Sequence, residues 1–214
     1  MLTILRIRLH GLLFWLAALV LLGYFLPQIV GASLFDPHLM LAYAFLSIPF
    51  LSPLACAAVA EPRNPLLKTF AAAALFGWIS SLLLIALRIF AANREINAPR
   101  LLLPDTPFLL SLSIIALASS IFGSSLAALL TLTTGKADSA IRIMRSGFLL
   151  ILLSVVFLAR GASASVHDFI SSQLTYSAMP KFAMVVSVIL LAHAALFLAL
   201  ALRNPRYSKP FASQ

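Results

Sequence analysis

Of 214 residues, 62% are hydrophobic and 10% are charged, and the mean hydropathy is +1.06. A soluble domain carries about 25% charged residues and roughly 45–50% apolar ones, so this chain cannot build a water-facing surface and its natural solvent is lipid. The net charge of +9 would point to nucleic acid in a soluble protein. Here the basic residues flank apolar runs, which makes anionic membrane lipids the expected partner and nucleic acid an unexpected one.

A helix needs roughly 20 apolar residues to cross the hydrocarbon core. Six runs qualify, at about Gly11–Val30, His38–Ala60, Thr69–Leu87, Phe108–Thr134, Gly147–Ala159 with its apolar flanks (to 163), and Phe182–Leu202. The fifth is cut short by Arg160 and spans if Arg145 and Arg160 snorkel to opposite interfaces. Runs such as Phe148–Leu153 are apolar on every side, whereas barrel strands alternate, so the expected class is all-α. The architecture is a polytopic integral membrane helix bundle of about six transmembrane helices. It forms a single transmembrane domain over residues 1–214, because the connections are too short to fold a core of their own.

The first run resembles a signal peptide in its basic start, Arg6 and Arg8, and in Val30-Gly31-Ala32, which looks like a small-residue cleavage site. Its length, and Tyr24 and Pro27 between run and site, favour a retained span. Residues 1–10 place Leu2, Leu5 and Leu9 near one helical face, as in a short interfacial helix.

The second run carries Pro49 and Pro53, each of which removes a backbone hydrogen bond and kinks the helix. Ser47 and Ser52 lie close enough to re-satisfy freed groups, and such a kink can serve as a hinge. The single Cys56 lies in this run and cannot form an intramolecular disulfide. The third run holds the small row Ala73, Gly77 and Ser81, with Trp78 near its centre as a packing residue. The fourth holds two rows: Ala116, Ser120, Ser124 and Ala128, and beside it Ser119, Gly123 and Ala127. Helices in lipid pack through small residues, so these two runs should sit inside the bundle. Ser120, Gly123 and Ser124 are then packing positions first, and a polar substrate lining second.

Between the fourth and fifth runs, Asp138 stands as an expected N-cap of a short amphipathic helix. Ile141 and Met144 share one side and Arg142 and Arg145 the other, a pattern suited to the interface or to docking a partner. Gly135-Lys136 does not make a phosphate-binding loop, because Leu130 stands where that loop needs glycine and Ala137 where it needs Ser or Thr. Val166, Phe169, Ile170 and Leu174 have helical spacing and should lie on the outer membrane surface. In the sixth run His193 sits near the middle, where a polar side chain is a functional candidate by default and a hydrogen-bonded neutral imidazole is the blander reading.

No Asp or Glu lies within any of the six runs. Proton relays rely on membrane-embedded carboxylates, so a proton-driven carrier is disfavoured. Two chemistries deserve weighing. Gly123-Ser124-Ser125-Leu126 with His193 loosely resembles the rhomboid proteases, which place a serine and a histidine on the fourth and sixth spans. However, Ser125 lies 18 residues past Pro107, roughly 27 Å along a helix rising about 1.5 Å per residue, whereas the rhomboid serine sits near the outer end of its span. The glycine expected after the histidine is also missing. Asp36, His38, His167 and Asp168 fall on the outer face and carry metal-ligating groups, but Asp36 and His38 flank Pro37 as turn residues do. Neither enzyme activity nor a resident metal or cofactor is expected.

Basic residues set the orientation. Arg6, Arg8, Arg63, Lys68, Lys136, Arg142, Arg145, Arg203, Arg206 and Lys209 fall on one side, ten in all, against Arg88, Arg94, Arg100, Arg160 and Lys181, five, on the other. Both termini are expected in the cytoplasm, in the cell (inner or plasma) membrane. A six-span layout with both ends inside and short cytoplasmic segments resembles the membrane subunits of ABC-2 type exporters. That resemblance implies a permease-like transport subunit, in a homo- or hetero-oligomer, that depends on a separate ATPase. The alternative is a non-transporting scaffold or accessory subunit. Reporter fusions at Gln214 and within Asn93–Arg100 are expected to read opposite sides of the membrane, and an external tail would overturn the orientation.

Overall fold

A computed structural model describes residues 37–45, 56, 66–95, 103–147, 150 and 177–203. Among these, 92% are helical and none is in a strand. Four helices have defined bounds: α1 (Pro37–Phe45), α2 (Leu66–Glu95), α3 (Thr106–Thr134) and α4 (Met179–Leu202). Residues 137–147 are helical as well. Three helices are long and apolar enough to cross a membrane: Lys68–Arg94 within α2, and the whole of α3 and α4. The first apolar run, the fifth except Gly147 and Leu150, and all of the second run beyond α1 except Cys56 lie outside the described residues. So do Pro49, Pro53, Asp36, His167 and Asp168.

α3 begins where expected and stops for a local reason. Pro107 occupies its first turn, where a missing N–H costs nothing. At the far end Gly135 adopts φ 69°, and its N–H donates to Thr131 O at 2.9 Å. A left-handed terminal residue is the usual work of glycine, so Gly135 marks a helix end. Asp138 falls within the helical residues 137–147, and the first bond there runs from Ala140 N to Lys136 O. The expected cap is thus displaced, and Asp138 sits in the first turn, where a carboxylate favours the positive end of the helix.

Two apolar clusters give the packing order. One joins Met40, Tyr43 and Ala44 of α1, Leu84, Ile85 and Ile89 of α2, Phe108, Leu112, Ile115 and Ala116 of α3, and Met179 and Ala183 of α4. The other joins Ala73, Ala127, Cys56, Ala140 and Met144. As numbers fall along α2 they rise along α3, so these helices are antiparallel. Phe122 and Phe197 stack 5.7 Å apart, beyond the first cluster on both α3 and α4, so that pair is parallel. α3 touches each of the other three helices and is the most buried of the three long ones, while α4 is the least.

Both small rows of α3 are buried throughout, as are Ala73, Gly77 and Ser81 of α2. Leu110, Ile114 and Leu117 form the exposed stripe of α3. Inserting a large side chain into a packed contact typically costs about 1–3 kcal/mol. Gly123→Leu should therefore lower thermal stability in detergent more than Leu117→Phe, and equal, small effects would mean that the small rows make no contact.

Candidate functional site

The described bundle turns its polar groups inward. Ser80, Ser81, Ser111, Ser119, Ser120, Ser124, Ser125, Thr131 and Ser187 are all buried, while large apolar side chains such as Phe90, Leu110, Met184 and Val188 face outward. Most of these hydroxyls are satisfied within their own helix. Ser80 donates to Phe76 O at 2.6 Å, Ser111 to Pro107 O at 2.6 Å, Ser120 to Ala116 O at 2.8 Å and Thr131 to Ala127 O at 2.8 Å. This back-bonding hides a polar group in a helix without needing a neighbour.

Four buried hydroxyls depart from the pattern. Ser81, Ser119, Ser124 and Ser187 have no hydrogen-bond partner. A buried polar group left without a partner costs about 1–3 kcal/mol. Three of the four each lie one turn from a residue of the first apolar cluster. Ser81 is one turn from Ile85, Ser119 one turn from Ile115, and Ser187 one turn from Ala183, and those three neighbours belong to one cluster. Because α2 is antiparallel to α3, and α4 parallel to it, all three steps lead in the same direction. Ser119 also points between the two neighbouring helices. Ser113, which receives the N–H of Trp78, marks the α2 side of α3, and Phe122 marks the α4 side. At about 100° per residue, Ser119 falls between them on the buried face. Ser124 lies lower and toward α2.

Seven residues beyond Ser81 along α2 stands Arg88, 1% exposed, with Tyr43 of α1 at 0% close enough to feel its charge. The sequence reading places Arg88 in an outer connection, because a cation ends the apolar run. The structure corrects this: α2 continues through Ile89-Phe90-Ala91-Ala92 to Glu95, and Arg88 is inside. The available signal was spacing. Arg88 is seven residues from Ser81 and four from Leu84, on the buried face. Likewise Lys181 lies in the first turn of α4, exposed, since that helix starts at Met179.

The other sequence candidates separate. His193 is exposed, and its Nδ1 lies 2.7 Å from Ile189 O. A carbonyl only accepts, so Nδ1 carries the proton. Ser125 donates to Phe122 O at 2.8 Å. Serine and histidine thus bond to their own helices, and no nucleophile–base pair forms between them. Ser120, Gly123 and Ser124 come together in the α3 interior. Arg142 and Arg145 are exposed on residues 137–147, whose other side, Ala140 and Met144, packs against Ala73 and Ala127. Among the described residues no group of His, Cys, Asp and Glu is placed to hold a metal.

Comparison with protein families, characterised proteins and solved structures finds no match.

Trp78 ties α2 to α3 through its Nε1–H, which donates to both the carbonyl and the hydroxyl of Ser113 at 3.2 Å. Trp78→Phe removes both bonds and should cost about 0.5–1.5 kcal/mol. Ser113→Ala leaves the carbonyl acceptor in place and should cost less. Thermal unfolding in detergent checks the order, and indistinguishable variants would contradict the contact.

Proposed function

We propose that this chain is the membrane subunit of a transport complex: a permease-like bundle of six spans with both termini in the cytoplasm, driven by a separate ATPase. The observation that carries the reading is the inward polar surface. A helix bundle whose sole task is cohesion in lipid has no use for hydroxyls left without partners at its centre, whereas a path for a solute does. With Arg88 inside the bundle, the outer basic count falls from five to four against ten, which favours the same orientation.

The energy source must lie elsewhere. Within α2, α3 and α4 the only carboxylate is the terminal Glu95, and the chain has no phosphate loop. Residues 137–147 suit a docking platform. Their apolar side is fixed against the bundle end, and Arg142, Ile143 and Arg145 stay exposed. Arg142 Nε donates to Asp138 O at 3.4 Å, on its own helix.

Charge reversal, Arg142→Glu with Arg145→Glu, should release the ATPase from the native complex and leave the helical signal unchanged. Co-purification after gentle extraction, wild type against double variant, is the measurement. If no ATPase accompanies the wild type, the exporter reading falls and a membrane scaffold takes its place. If the double variant keeps its ATPase, the docking surface is elsewhere.

A further inference from the structure

We propose that the outward face of α4 around His193 is covered by a transmembrane helix of a different membrane protein, one that brings an uncharged N–H or O–H donor to His193 Nε2. His193 stands fourteen residues past Met179, the first residue of α4, roughly 21 Å along a helix rising about 1.5 Å per residue. In a hydrocarbon core about 30 Å thick that is close to mid-depth. Phe197, one turn on, meets Phe122 near the middle of α3, which gives the same depth. The imidazole is exposed and held in place: Nδ1 donates to Ile189 O at 2.7 Å, and the Phe197 ring lies edge-on to it at 6.4 Å. Nε2, the other ring nitrogen, has no hydrogen-bond partner among the described residues. Ionisable side chains inside membrane spans almost always face a bundle interior or a water-filled cavity. His193 instead shares an apolar patch with Ile189, Leu196 and Leu200, all exposed.

The chemistry of the patch selects its occupant. With the proton on Nδ1, Nε2 of the neutral ring only accepts, so whatever covers it must donate. Lipid tails have no donor, and headgroups lie about 15 Å away at the interfaces. A metal ion needs further ligands, and among the described residues no group of His, Cys, Asp and Glu is placed to supply them. The described spans of a second copy do not supply the donor either. Near mid-depth their outward side chains are apolar, such as Ile79 and Leu83 of α2 and Ile114 and Leu117 of α3. On α4 itself Ser187 is buried, and a facing His193 would present a second acceptor. The shape of the patch suits a helix. Leu196 projects between Ala192 and Ala199, one turn to either side and both exposed. Small residues let a second backbone come close, and a histidine can then bond across the contact. α4 has room for such a neighbour, being the least buried of the three long helices.

The inference stands apart from the transport reading, and its test reads α4 alone. The full chain is expressed in its host membrane with the photoreactive residue p-benzoylphenylalanine at Ile189, one turn from His193, and in a separate variant at Leu117, on the exposed stripe of α3, as the control. Irradiation should give one discrete protein adduct from Ile189 and none from Leu117. Peptide mapping should place the crosslink in a transmembrane helix of a different protein, beside a Ser, Thr, Asn, Trp or Tyr. Adducts with lipid alone would overturn the proposal, and so would an adduct of this chain with itself. The hydrogen bond is read separately. His193→Leu should lower the adduct yield about threefold to tenfold, whereas His193→Gln, which keeps an acceptor, should retain most of it. Equal yields from wild type and His193→Leu would overturn the role of Nε2 and the chemistry assigned to the partner. Because His193 is exposed, neither variant should lower the thermal midpoint of the purified chain in detergent. A fall would mean that the imidazole serves its own bundle, and would also overturn the proposal.

Discussion

The close approach of α3 to its neighbours is the contact on which the described structure depends. In lipid the tails are as apolar as leucine, so nothing squeezes helices together, and cohesion comes from van der Waals contact and interhelical hydrogen bonds. Both require short distances. α3 provides them with two adjoining rows of Ala, Ser and Gly, all buried, and it is the helix that touches α1, α2 and α4. α2 answers with Ala73, Gly77 and Ser81, and Trp78 adds a bond across the seam. α4, with Ala183, Ser187, Ala194 and Ala201 as its buried residues beyond Met179, presents an equally small stripe.

The same choice of small residues creates the polar interior. Serine substitutes for alanine at little cost in volume, and its hydroxyl is hidden when it bonds back to a carbonyl one turn earlier. Ser80, Ser111, Ser120 and Thr131 are used this way. These groups are structural, whereas Ser81, Ser119 and Ser187 carry unspent hydrogen-bonding capacity. The distinction rests on geometry and not on residue type, since Ser119 and Ser120 are neighbours in sequence with opposite fates.

That distinction also marks what could be read from the sequence. Periodicity and length located α3 within two residues, because Pro107 and Gly135 punctuate it and no charge interrupts it. The small rows announced its buried faces. The amphipathic side of residues 137–147 was legible from Met144 opposite Arg142 and Arg145, although its first turn was placed too late. Arg88 was misread, because a charge at the end of an apolar run looks like a boundary unless the pattern beyond it is followed. That Ser81, Ser119 and Ser187 keep hydroxyls without partners was not legible at all. It depends on the register between antiparallel and parallel helix pairs, which no single-helix pattern encodes.

The most direct test of α3 as the central helix is a nitroxide scan over residues 108–125 in lipid, reading collision with dissolved oxygen. Oxygen concentrates in hydrocarbon and is excluded from packed protein. The described arrangement predicts a helical oscillation, with maxima at Leu110, Ile114 and Leu117 and minima at Leu112, Ile115 and Ser119. Uniformly high accessibility around the helix would contradict it, since α3 would then stand in lipid with no neighbours to organise.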